Sequence, residues 1–244
     1  MKLIWAHFKA GTLQLMRLPG YTIPTVIFPG MLFLFFGVAE ARGRMAANFI
    51  MAGYSVFAVM GVTFYQFGAG IAQERGSPWE GFLRILPVSP QVRFAARVLS
   101  ALVFALAAVG VVVVIAHLLT PVGLETSGWL RFSLGLLLGG IPFALFGIAL
   151  GYWASPRAAI PFANLFNLPL AYAGGLWVPP QRLPEMVATL SPYLPSRRYN
   201  EVIWTAVLGQ AWHVDDWLWL LGYTVVFGLL AFWGYQRDEG QRYR

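Results

Sequence analysis

Gln73-Glu74-Arg75-Gly76-Ser77-Pro78-Trp79-Glu80-Gly81-Phe82-Leu83-Arg84-Ile85-Leu86-Pro87 lies between two long apolar stretches, and its reading decides the fold. Ser77 is placed to be a helix N-cap, Pro78 takes the first helical position and Glu80 falls three residues after the cap. This is a capping box in which the missing proline N–H costs nothing. Trp79, Phe82, Leu83 and Leu86 recur at helical spacing as one apolar stripe, and Pro87 stops the helix. The segment predicts a short amphipathic helix on the inner face of a membrane, in a loop between two spans. A capped surface helix in such a loop implies that something docks there.

Composition supports the membrane. The chain has 244 residues, of which 58% are hydrophobic and only 11% charged, against about 25% charged in soluble domains. A crossing takes about 20 residues, so the length predicts about six crossings in one transmembrane domain over residues 1–244, with no room for a separate soluble catalytic domain. The apolar runs place spans at 21–39, 47–70, 94–118, 130–153, 160–178 and 217–235, with a loop at 71–93 and another at 179–216. The expected fold is an all-α membrane protein with six transmembrane helices. Placing both ends in the cytoplasm puts eleven of the seventeen Lys and Arg inside and six outside, so the positive-inside bias selects that orientation. The formal charge of +7 is then a topology signal, and no nucleic-acid partner is expected.

The first 18 residues put Ile4, Phe8, Leu15 and Leu18 on one face and Lys2, Lys9 and Arg17 broadly opposite, which predicts an interfacial helix along the inner leaflet; a basic tail is the alternative. The basic start followed by an apolar run and Ala39-Glu40-Ala41 superficially resembles a signal peptide. The run is too long and lies too late in the chain, so cleavage is not expected. The stretch 179–216 is too long for a simple connection. Leu183 to Leu190 and Tyr199 to Leu208 predict short helices separated by Pro192 and Pro195, and Asp215 and Asp216 suit the start of the last span as caps.

Several chemistries are missing. There is no cysteine, hence no disulfide or thiol chemistry. His7, His117 and His213 are far apart and no H-E-x-x-H occurs, so no metal site is expected. Gly53-Tyr54-Ser55-Val56 lacks the second glycine of a nucleophile elbow. The span interiors carry essentially no ionisable side chain, which disfavours proton- or sodium-driven transport, and no filter or charged ring marks a channel. A phosphate loop needs a lysine, and the only two are Lys2 and Lys9. No catalytic residue or cofactor is expected in this chain. If it transports actively, another polypeptide supplies the energy.

Glu74-Arg75-Gly76 followed by Leu83-Arg84-Ile85-Leu86-Pro87-Val88-Ser89-Pro90 resembles the E-R-E-x-G-T-L-E-x-L-L-x-T-P-V-S segment of type-2 ABC exporter (ABC-2 type) permeases. Ala173-Gly174-Gly175-Leu176-Trp177-Val178-Pro179-Pro180-Gln181-Arg182-Leu183-Pro184 is similar to that family's G-x-x-x-P-x-x-x-L-P, and Pro192-Tyr193-Leu194-Pro195 with Tyr199 to its L-P-x-x-Y. The order and spacing cover nearly the whole chain. Two departures stand out: Gly76 replaces the second glutamate, and Ser77-Pro78-Trp79 replaces the Gly-Thr-Leu step.

The resemblance implies a bacterial inner-membrane exporter subunit for a lipophilic or amphipathic cargo such as a drug, antibiotic or lipid. Two permease chains, identical or different, would pair and bind two cytoplasmic ABC ATPase subunits, which hold the ATP and Mg. Glu74, Arg75, Gly76, Ser77, Trp79, Glu80, Phe82, Arg84 and Pro87 would form the coupling helix, with Arg75 and Arg84 making charged contacts and Trp79 or Phe82 anchoring in an ATPase cleft. A stripe resting on lipid, with the arginines on lipid phosphates, is the alternative. Tyr54, Ser55, Thr63, Tyr65, Gln66, Asn164 and Asn167 are candidates for lining the cargo path, although polar side chains also join helices. Gly174 and Gly175, with Pro179 and Pro184, mark an outer turn, where glycine packing is the competing explanation. A membrane scaffold recruiting a cytoplasmic partner, or a lipid-modifying enzyme, stays open beside the exporter.

Overall fold

The computed structural model describes residues 2–75, 77 and 89–242. Among them all regular structure is helical. In chain order the helices are α1 (Lys2–Met16), α2 (Pro19–Glu40), α3 (Arg44–Arg75), α4 (Pro90–Leu119), α5 (Thr126–Trp153), α6 (Ala159–Ala173), α7 (Glu185–Leu190), α8 (Pro195–Val207) and α9 (Val214–Arg242).

Five of these, α2, α3, α4, α5 and α9, are long and apolar enough to cross a membrane, and they fall on five of the six expected spans. The stretch 160–178 differs. Its helix α6 has 15 residues, about 22 Å at 1.5 Å per residue, short of the ~30 Å hydrocarbon core. The cause is a Schellman turn: the Leu176 N–H donates to the Ala171 carbonyl and the Gly175 N–H to Tyr172, with Gly175 at φ +77°. The apolar run continues through Leu176 and Trp177, but the helix does not.

α3 is the axis of the bundle. Val56, Met60 and Phe64 are fully buried, and nearly every residue from Met51 to Ala72 is enclosed. A helix apolar all round belongs in the interior, and α3 touches α2, α4, α5, α6 and α8. α5 reaches it through Gly147 and Gly151, where an added Cβ would lie 2.6 Å from the Thr63 and Phe67 carbonyl oxygens respectively. This small-xxx-small spacing lets two backbones approach. α9 lies along the second half of α5 and against α8. One turn of α3, Phe64–Ala69, is wound as a π-helix, as are Ile23–Ile27 and Phe33–Gly37 of α2.

α1 packs on α4, joined by a hydrogen bond from the Thr12 hydroxyl to Ser100 Oγ at 3.1 Å, and exposes Trp5, Leu13 and Met16. The stretch after α6 holds α7 and α8. α8 starts at Pro195, where proline suits the first helical position, and the Trp204 indole donates to the Phe49 carbonyl at 3.3 Å. At the start of α9, Asp216 is committed to Arg198 at 2.9 Å.

Candidate coupling segment and membrane path

The predicted coupling motif begins where α3 ends. Glu74 and Arg75 are consecutive, so on a helix their side chains leave about 100° apart. Glu74 pairs with Arg97 on α4. The Arg97 guanidinium also donates through Nη1 to the Gln66 carbonyl at 3.1 Å, inside the π-wound turn. Arg75 reaches the other way. Its Nη1 meets Asp238 Oδ1 on α9 at 2.5 Å, and its Nη2 donates to the Ala154 carbonyl, just beyond α5, at 2.9 Å. The Arg75 and Asp238 side chains are 19% and 8% exposed. The base of the loop is therefore gripped by α4 on one side and by α5 and α9 on the other. Arg97, Asp238 and the Ala154 carbonyl had no local signature in the sequence.

Ser77 donates its backbone N–H to the Glu74 carbonyl at 2.9 Å and sits in a bend. Gly76, Trp79, Glu80, Phe82, Arg84 and Pro87 lie outside the described residues, as does the helix expected there.

The seven candidate path residues divide. Tyr65 on α3 and Asn164 on α6 are brought together, with the phenol donating to Asn164 Oδ1 at 2.5 Å. Gln66 accepts a hydrogen bond from Tyr21 of α2. Ser55 and Thr63 donate to the Met51 and Met60 carbonyls of their own helix, at 2.7 and 2.8 Å, and are buried. Tyr54 is buried with its ring edge-on to Phe33. Asn167 is 3% exposed, and its Oδ1 is without a hydrogen-bond partner. It faces Gly61 of α3, where a Cβ would come within 3.7 Å of its Nδ2.

At the turn after α6, Gly174 and Gly175 carry the Schellman motif described above. The chain beyond it presses on α3: a Cβ at Gly53 would lie 2.2 Å from the Leu176 carbonyl oxygen, and Trp177 packs edge-on to Phe57 at 4.8 Å. Pro179 precedes a short 3-10 turn, Pro180–Arg182, and Pro184 precedes α7. On α8, Tyr199 is fully buried and donates to the Leu136 carbonyl at 2.6 Å. Burial holds its phenol well above the ordinary tyrosine value.

Among the described residues no group of His, Cys, Asp and Glu could hold a metal ion. A family model described as "ABC-2 type transporter" matches residues 2–208. The protein named "Putative transport permease YvfS" of Bacillus subtilis (strain 168) is similar, 26% identical over 185 residues, covering 76% of this chain and 75% of that protein.

Proposed function

The chain belongs to the ABC-2 type transporter family, and on that premise we propose that it is the permease subunit of an ATP-driven exporter that moves a lipophilic or amphipathic cargo outward. Family membership makes it a multi-pass membrane transport subunit and implies a partner ATPase. In the proposed arrangement two permease chains pair, two ATPases hold the ATP and Mg, and the helix expected from Pro78 to the stop at Pro87 docks to them.

The observation that carries this reading is the double grip at the loop base. Glu74–Arg97 and Arg75–Asp238, with the Ala154 carbonyl, connect one short segment to α4, α5 and α9. A load on the docking helix then reaches three helices rather than fraying the end of one, and rigid packed elements transmit such displacements. Arg75 acts in this reading as an anchor inside the bundle, leaving Trp79, Phe82 and Arg84 as the surface offered to the ATPase. α1 lies along the inner leaflet, α6 with the turn after it makes the sixth crossing, and both ends are cytoplasmic in a bacterial inner membrane. The Tyr65–Asn164 pair, Gln66 and Asn167 mark where cargo passes α3 and α6.

The test is a tagged pull-down in mild detergent from the native host, with ATP hydrolysis measured on the eluate and wild type compared with Trp79→Ala/Arg84→Glu. A co-eluting ATPase lost in the double variant supports both permease and docking helix. A folded wild-type chain that elutes without any nucleotide-hydrolysing partner overturns the reading in favour of a scaffold.

A further inference from the structure

A cleft of about 510 Å³ opens where α9 begins, beside α8. Its head is charged and its floor apolar. At the head, the Arg198 guanidinium stands 5.4 Å over the Trp219 ring, bonded through Nη1 to Asp216 at 2.9 Å and through Nε to the Pro192 carbonyl at 2.7 Å. A guanidinium has five N–H donors, so the same fork keeps donors for a further acceptor. Asp215 lines the cleft too; it is exposed and forms no ion pair among the described residues. The floor runs down α9 along Leu218, Gly222 and Val226, one face at helical spacing. Gly222 is a notch, since nothing lies within 4 Å of where its Cβ would be. The wall is fixed by Trp219 and Tyr223, whose rings stack at 6.0 Å while the Tyr223 hydroxyl donates to the Tyr193 carbonyl.

We propose that this cleft holds one phospholipid with an ethanolamine headgroup, from the leaflet on the side of α7 and α8. Charge complementarity selects the headgroup. The phosphodiester meets the remaining donors of Arg198, the primary ammonium donates to Asp215, and an acyl chain lies in the Gly222 notch against Trp219, a residue type that anchors at the membrane interface. A glycerol headgroup offers Asp215 no cation, and a choline headgroup offers it no N–H. Lipid binding in this cleft needs no ATPase.

The test is native mass spectrometry of the purified chain in mixed micelles holding equimolar dioleoyl phosphatidylethanolamine and dioleoyl phosphatidylglycerol. Wild type is expected to keep one ethanolamine lipid with about a tenfold preference, the factor that one charge-assisted contact supplies. Gly222→Leu fills the notch and is expected to lose the lipid while melting like wild type. Asp215→Asn, at an exposed carboxylate, is expected to retain lipid but lose the preference. No preference in wild type, or a folded Gly222→Leu that keeps the ethanolamine lipid, overturns the proposal. If Gly222→Leu does not fold, an unchanged preference in Asp215→Asn overturns it and a lost one supports it.

Discussion

Arg75 and Asp238 stand 163 residues apart in the chain and meet at 2.5 Å, so the last turn of α3 is fastened to the far end of α9. The same guanidinium reaches the Ala154 carbonyl. One fork spans two acceptors on separate elements, which a lysine ammonium on a flexible stem does not reproduce. Removing one partner of a largely buried pair takes a charge-assisted hydrogen bond from the other, at a cost of about 1.5–3 kcal/mol. Arg75→Ala and Asp238→Ala are each expected to lower the melting temperature in detergent clearly, with Arg75→Lys between them and wild type. Glu74→Gln is the contrast. Glu74 is 60% exposed, a setting in which an ion pair contributes about 0–1 kcal/mol, so that variant is expected to melt almost like wild type. Equal losses at both pairs would show that exposure does not separate them.

Gly53 faces the Leu176 carbonyl with no room for a methyl group. Gly53→Ala must push the turn after α6 off α3 or shift α3 itself, an overpacking cost of about 1–3 kcal/mol. The expected signature is a lowered melting temperature together with new reactivity of a cysteine introduced at Trp177, measured with a maleimide. Unchanged labelling at that cysteine would show that α3 moves instead of the turn.

Tyr199 gives a pH signature. Its buried phenol titrates well above the ordinary value of 10.0, so in alkali the unfolded chain gives up this proton first. Folding stability from this group is fully present below about pH 10 and declines as pH rises beyond it. Wild type is expected to lose more stability between pH 9 and pH 11 than Tyr199→Phe. At neutral pH the variant is expected to be about 1 kcal/mol weaker, for loss of the bond to Leu136. Parallel pH profiles would refute the assignment.

Asn167 separates a packing role from a path role. It is buried with an unsatisfied Oδ1, and replacing such a group with an apolar one of similar volume is close to neutral for stability. Asn167→Leu is expected to melt no lower than wild type and, if cargo passes this face, to slow efflux of a lipophilic cation such as ethidium from cells. Unchanged efflux at unchanged stability would remove Asn167 from the path.

Span positions were legible because hydrophobic transfer alone sets them. The apolar runs at 21–39 and 94–118 fall on helices that extend only a few residues further, Pro19–Glu40 and Pro90–Leu119. Within 160–178 the helix ends at Ala173 while the apolar run goes on, because hydropathy does not register a left-handed residue: Leu176, Trp177 and Val178 stay apolar after Gly175 has turned the chain. Gly174 and Gly175 did signal a break, but glycine packing explained them equally well in one dimension. Glu74 and Arg75 could be singled out from their motif, whereas Arg97 and Asp238 could not, because pairing between helices leaves no pattern along either one. Asp216 has the sequence position of a cap, just ahead of an apolar span, yet its carboxylate pairs with Arg198, a partner 18 residues back.

The π-wound turn at Phe64–Ala69 has an evolutionary consequence. A π turn accommodates one residue more than the α ladder it interrupts, so a single-residue insertion at this point would be absorbed without breaking the helix. Relatives whose corresponding helix is α-wound throughout should align to this chain with a one-residue gap inside 64–69, in the middle of a membrane helix, where insertions and deletions are otherwise poorly tolerated. On either side of that gap, the residues facing α5 and α6 will correspond only if the gap is placed there.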